Sequence, residues 1–142
     1  MNEHHLKFLA SPDWATWLDV ALYSALAARM EGTNVDVVHG DAMSTGLPAN
    51  RFTTAACFAM LHHVPAVEMQ DRVFAEMHRV LRPGGIFLGT DSVDSDAIRE
   101  FHVDDVFVPL PPDELEPRLE VAGFRDVDVH VGDFELRFKA TK

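Results

Sequence analysis

The stretch from Phe52 to Asp91, FTTAACFAMLHHVPAVEMQDRVFAEMHRVLRPGGIFLGTD, constrains what this chain can fold into more than any other part of it. It opens on a continuous apolar run, Thr53 to Met60, which predicts a strand covered on both faces, as in a parallel sheet with helices above and below. From Pro65 to Leu81 the spacing becomes helical, with Met69, Val73, Phe74, Met77, Val80 and Leu81 on one side. Pro83-Gly84-Gly85 stops that helix, since proline offers no N–H and glycine no conformational restraint. Ile86 to Thr90 predicts a second buried strand. Strand, helix and strand in succession imply a right-handed parallel crossover.

The flanking segments carry signals of their own. Ser11-Pro12-Asp13 is a helix start, with a hydroxyl for the N-cap, proline at the first helical position and an acid near the positive helix end. A helix over 11–31 follows, its apolar stripe made of Trp14, Trp17, Leu18, Ala21, Leu22, Ala25, Leu26 and Met30, with Gly32 in the left-handed C-terminal position. Val35 to His39 predicts a short strand closing on Gly40-Asp41, and residues 42–51 a loop. Between Asp91 and Pro112 the pattern is less regular. Its apolar residues, Ile98, Phe101, Val103, Val106, Phe107 and Val108, sit among acids and His102, which suits a lid or a partner surface as well as plain packing. A further short helix ends at Ala122-Gly123-Phe124, with Phe124 packing back on Leu119.

The last segment is a hairpin. Val127, Val129 and Val131 alternate with polar residues, as do Phe134, Leu136, Phe138 and Ala140, around a Gly132-Asp133 turn. That turn places His130 opposite Glu135, Asp128 opposite Arg137 and Asp126 opposite Lys139. A slip of one residue would reverse both faces.

Composition narrows the function classes. The chain of 142 residues carries 12 Lys plus Arg against 23 Asp plus Glu, a net charge of −11 that repels nucleic-acid phosphates and anionic lipid. Its one cysteine, Cys57, lies in an apolar run and supports neither a disulfide framework nor a metal cage. No leader pattern and no apolar stretch of bilayer-spanning length is present, so a soluble, cytoplasmic protein of a single domain, 1–142, is expected.

Taken in order, "HGDA" (39–42), "MLHHVP" (60–65), "RVLRPGGIFLGTD" (79–91) and "LEVAGFRDVDVHV" (119–131) resemble the C-terminal two thirds of a class I S-adenosylmethionine-dependent methyltransferase of the type 11 kind, from about Asn34 to Lys142. The resemblance implies an α/β fold with a partial Rossmann-like methyltransferase sheet, its strands 3, 4 and 5 parallel, a C-terminal antiparallel 6-7 hairpin, and helices on the faces. It implies S-adenosylmethionine as cofactor and a small-molecule or lipid methyl acceptor. Asp41 corresponds to the acid that accepts from the adenine amine, with Ala42 after it against the ring. A carboxylate suits that task, having acceptors and no donor. Ala59, Met60 and Leu61 fall where the family flanks the methionine end of the cofactor. The bland alternative for Asp41 is a turn or cap acid.

His62 and His63 are candidate general bases, since an imidazole can take a proton from a substrate hydroxyl or amine. As neighbours at a strand end they are expected to point to different sides, which argues against one shared metal, and no metal site is expected. Asp91 is the third catalytic candidate, at the carboxyl end of a strand where open α/β sheets bind ligands. Capping is its structural alternative.

The chain departs from the family before residue 34. No glycine-rich loop of the Gly-x-Gly kind precedes Gly32, and the residues there are read as one helix, so the first two family strands are expected to be missing. Their loss leaves the AACFAM strand with an open apolar edge, which invites pairing. A homodimer through that edge and the N-terminal helix is therefore expected. Three functions stay open: a methyltransferase completed by a second subunit, a non-catalytic remnant acting as a dimeric interaction protein, and a binder of a small apolar ligand.

Overall fold

The computed structural model describes residues 7–9 as backbone, and residues 24–103 and 105–142 in full. They divide into two compact units, Met1–Thr45 and Gly46–Lys142.

In the first unit, β1 (Lys7–Leu9) is followed by a helix, α1 (24–30), and by β2 (Val37–His39), which runs parallel to β1 with Phe8 opposite Val38. The helix expected over 11–31 is described only from residue 24. Ser11, Pro12 and Asp13, and the stripe residues Trp14, Trp17, Leu18, Ala21 and Leu22, lie outside the described residues, as do His4 and His5. Gly32 takes the left-handed position (φ 78°) where Thr33 N–H closes on the Met30 carbonyl at 3.0 Å. β1 is absent from the sequence expectations. A three-residue strand must place its main-chain N–H and C=O groups somewhere, and β2 places them against β1.

The second unit holds a four-stranded sheet of order β3-β4-β6-β5. β3 (Phe52–Phe58) leads through a short 3-10 turn, Leu61–His63, into α2 (Val67–Val80), and β4 (Leu81–Ser92) returns parallel to β3. Then come α3 (Asp96–Phe101), α4 (Pro112–Val121) and the antiparallel pair β5 (Arg125–Val131) and β6 (Glu135–Thr141), with β6 seated between β4 and β5. The α/β architecture is the one expected. Its strand detail differs, because the strand near residue 37 pairs with β1, so the expected set of three parallel strands is two separate parallel pairs.

Packing follows the helical and alternating patterns. Gly85, Phe87, Gly89 and Asp91 are buried on alternate positions of β4, and Phe87 lies 5.0 Å from Phe138, 5.5 Å from Phe124 and 6.2 Å from Phe74, ring centre to ring centre. Leu115, Leu119 and Leu136 complete this core. The buried residues of α2 are Gln70, Val73, Phe74, Glu76, Met77 and Val80, so that relative to the expected stripe Gln70 and Glu76 are inside and Met69 is half-buried. Phe124 N–H bonds back to the Leu119 carbonyl at 3.1 Å, and both side chains are buried, as expected of a glycine-terminated helix. α3, unforeseen in the irregular segment, is capped by Ser95 Oγ accepting from Ile98 N–H at 3.3 Å.

Two expectations are corrected. β3 is not covered on both faces, since Thr54, Ala56 and Phe58 are exposed and Cys57 is its one buried residue. Among the described residues it is an outer strand of the sheet, paired with β4 on one side only. In the hairpin, Gly132 N–H bonds the Glu135 carbonyl at 2.8 Å, so Asp133 and Phe134 form the tip instead of Gly132 and Asp133. Pairing slides by two residues: Asp128 faces Lys139 and His130 faces Arg137. A slide of two keeps the faces, so Leu136, Phe138 and Ala140 still point inward. Phe134 sits at the tip and is exposed, and Asp126 falls into a bulge at φ 50°.

Gly89 marks the tightest backbone approach in the sheet. A Cβ there would stand 2.6 Å from the Cys57 carbonyl oxygen and 2.8 Å from Phe138. Gly89→Ala is expected to destabilise the protein by about 1–3 kcal/mol, read from urea denaturation midpoints. His78, edge-on to Phe124, has its pKa held below the usual imidazole value by burial and then by the Lys142 ammonium. The unfolded chain therefore takes up this proton first as pH falls. The associated stability is present above the ordinary value of about 6.5 and is lost as pH drops from there toward the folded value. In denaturation series across that window, His78→Gln should lose stability on acidification less steeply than the natural chain.

Candidate functional site

The site is built where the parallel pair ends. β3 leaves the sheet at Ala59, whose N–H still donates to the Thr90 carbonyl at 2.8 Å while its φ of 48° turns the chain sharply aside. A non-glycine residue in the left-handed region is strained, and what holds it is the next turn. Asp91, the last inward residue of β4, accepts from the backbone N–H of Leu61 at 3.0 Å and of His62 at 3.3 Å through one oxygen. Its other oxygen accepts from Ser92 N–H at 2.8 Å and from His62 Nδ1–H. Asp91 and His62 are both 3% exposed, so this carboxylate is buried with its acceptors filled.

A second polar bridge lies behind the turn. Gln70 Nε2 donates to the carbonyls of Leu61 (3.1 Å) and Val108 (2.8 Å), and its Oε1 accepts from Arg118 Nη2 at 2.9 Å. Arg118 Nε in turn donates to Asp71 at 2.7 Å, while Val108 N–H donates to the His62 carbonyl at 2.8 Å. These bonds tie the turn, α2, α4 and the segment 106–108 into one unit.

Three imidazoles converge in front of it. The His62 and His63 ring centres are 4.0 Å apart, His62 and His102 5.0 Å, and His63 and His102 5.3 Å. Phe107 stacks on His102 at 4.8 Å and touches His62 at 5.5 Å. The expectation that His62 and His63 point apart is thus overturned. They lie on a 3-10 turn, where neighbouring side chains do not alternate as in a strand. Burial, then the neighbouring His62, lowers the pKa of His63, with Asp105 and the Val106 carbonyl pulling the other way. Cys57 beneath is inert, its thiol pKa pushed far up by burial and by the charge of Asp91.

Ala59, Met60, Leu61, His62, His63 and Asp91 are accordingly brought together. Asp41 and Ala42 belong to the first unit. There Asp41 is exposed and closes a turn, its Oδ1 accepting from Met43 N–H at 2.8 Å, and Ala42 is buried. Two members of the site escape the sequence reading. Gln70 was detectable as a polar residue in step with Val73, Phe74 and Met77 on the buried face of α2. His102 was not, because its approach to His62 depends on how the segment 106–108 docks.

A parallel strand-helix-strand unit continued by an antiparallel hairpin, with polar residues gathered at the carboxyl ends of the parallel strands, is an α/β arrangement in which ligands are commonly bound at that end. The chain belongs to the methyltransferase-domain family, whose pattern matches residues 10–89. The sterol 24-C-methyltransferase of Neurospora crassa is 31% identical over 102 residues, covering 68% of this chain and 25% of that protein, so the chain spans about a quarter of the length of this curated relative. Solved structures share the fold. A possible histamine N-methyltransferase from Thermotoga maritima aligns with a TM-score of 0.67 at 19% identity, over 83% of this chain and 69% of that one. Phosphoethanolamine N-methyltransferase 2 of Haemonchus contortus, bound to S-adenosyl-L-methionine, gives 0.71 at 12% identity, over 99% and 48%. Among the described residues no helix is long and apolar enough to cross a membrane.

Proposed function

We propose that this chain is an S-adenosylmethionine-dependent methyltransferase acting on a small molecule or lipid in the cytoplasm. The observation that carries the proposal is the turn Ala59–His63, locked by Asp91 at the carboxyl ends of β3 and β4 in a chain of the methyltransferase family.

The residues present fit such a cofactor. Ala59 is exposed, with a small side chain and a left-handed backbone that lets a ligand approach closely, and Met60 beside it is half-buried. Asp41, exposed in the first unit, is the acid that the family resemblance assigns to the adenine amine, and a carboxylate is suited to accept from it. When bound, the cofactor supplies a methyl group made electrophilic by its sulfonium, and alignment is the main task left to the protein. Asp91 fixes the turn and the ring of His62. His63, whose side chain is 42% exposed, is the accessible imidazole and receives the proton released by a hydroxyl or amine acceptor. The buried free Cys57 suits a reducing compartment.

Calorimetric titration with S-adenosylmethionine tests this. Micromolar binding that Asp41→Asn weakens at least about tenfold is expected. No heat at millimolar ligand would favour the non-catalytic remnant, a reading supported by the absence of a glycine-rich loop. The outer edge of β3, with Phe58 exposed, is where a second copy would pair, and a homodimer is part of the proposal. Light scattering at micromolar concentration should then return twice the chain mass, and a monomer mass would remove this part.

A further inference from the structure

The three histidines at the end of the parallel strands have an arrangement that neither methyl transfer nor packing requires. One ring nitrogen from each of His62, His63 and His102 lies within 4.8 Å of one from each of the others. Each ring also has its Nδ1 engaged. His62 Nδ1–H donates to the Asp91 carboxylate, and His102 Nδ1–H donates to the Ile98 carbonyl at 2.8 Å. His63 Nδ1–H donates to the Val106 carbonyl at 3.3 Å, with Asp105 Oδ2 at 3.5 Å from the same nitrogen.

An imidazole that donates from Nδ1 to a carboxylate or carbonyl has its tautomer fixed and keeps the lone pair on Nε2. Metal-binding histidines are oriented in this way by their outer partners. Three such rings gathered in one place, each with its own acceptor, are therefore more than a chance cluster of aromatic side chains. From these contacts we infer that His62, His63 and His102 form a binding site for a divalent transition-metal ion of the zinc class, held by three neutral imidazoles.

The chemistry of the donor set agrees. Imidazole nitrogen suits zinc and its neighbours, whereas magnesium and calcium demand oxygen ligands. Three histidines with a further position left for water or another ligand is a recurring zinc arrangement. Tetrahedral zinc with bonds of about 2.0–2.1 Å needs nitrogens about 3.3 Å apart, so the three rings must turn their Nε2 atoms toward one point and draw closer together. His63 and His102 are only half-buried, and rotation of their side chains can supply that. The negative charge of Asp91 behind the cluster and of Asp105 beside it favours a cation there, as does the net charge of −11. Phe107, stacked on His102, shields one side.

A cation at this place occupies a lone pair that proton transfer by His63 would use. The two roles exclude each other, so zinc is read as an inhibitor of the proposed transfer. The inference does not rest on that activity, and its test reads metal binding directly.

Zinc titration of the full chain, freed of metal beforehand and followed by calorimetry, should show one ion bound per chain. Substituting Co2+ should give the visible absorption of a low-coordinate nitrogen-ligated site. His63→Ala and His102→Ala should each weaken zinc at least about tenfold, and Asp91→Asn, which removes a carboxylate from the outer shell, about 10- to 100-fold. His78→Ala and His130→Ala, and the double change His4→Ala with His5→Ala, should leave affinity unchanged. Circular dichroism checks that each variant is folded. If Asp91→Asn fails to fold, His102→Ala, at a half-buried position after α3, carries the test. Absence of zinc binding by the folded natural chain would overturn the inference. So would binding that survives His63→Ala and His102→Ala together, or binding lost with His4 and His5. Neither result depends on whether S-adenosylmethionine binds.

Discussion

One buried carboxylate organises the second unit of this protein. Asp91 stands at the end of β4 almost wholly buried, and the cost of burying its charge is met by four donors from the turn that follows β3, the ring of His62 and the next residue. The interaction works in both directions. The turn needs an acceptor because its first N–H groups point inward without helical partners, and the acid needs donors because it is buried. Take away the carboxylate and three backbone N–H groups and an imidazole N–H lose this partner together. The strained left-handed conformation at Ala59 is tolerated for the same reason, since the residues on both sides of it are held.

What was legible in the sequence follows from how local each signal is. The positions of β3 and β4, α2, the glycine stop after α4 and the hairpin depend on near neighbours along the chain, and their residues announce them; the one-sided burial of β3 depends on its place at the sheet's edge. The hairpin shows the limit of that legibility. Alternation identifies which residues face inward, but the tip was misplaced by one residue because Asp133-Phe134 and Gly132-Asp133 both leave the alternation intact. Only the Gly132 to Glu135 hydrogen bond distinguishes them. β1 was illegible for a related reason: three residues carry too little pattern to be told from a loop.

For the site, the acid and the paired histidines at strand ends could be read from motif and position. Their relation could not. Treating His62 and His63 as the last residues of a strand sent their rings to opposite sides, whereas a single 3-10 turn brings the rings to 4.0 Å. His102 lies beside them in a segment whose docking involves long-range bonds, Val108 to the His62 carbonyl and Gln70 to Val108, the latter between residues 38 apart. Family resemblance points to the turn and strand position to Asp91, and neither reaches the third imidazole.

Cys57 gives this arrangement an internal gauge. Its thiol sits under the strand end with Asp91's charge nearby, and both effects suppress the thiolate that reacts with alkylating reagents. Chemistry at this sulfur therefore requires the sheet to part between β3 and β4, or the whole unit to open. As the one sulfhydryl of the chain, it turns the rate of covalent labelling into a measure of how often the carboxylate and its turn come undone, with no cysteine introduced.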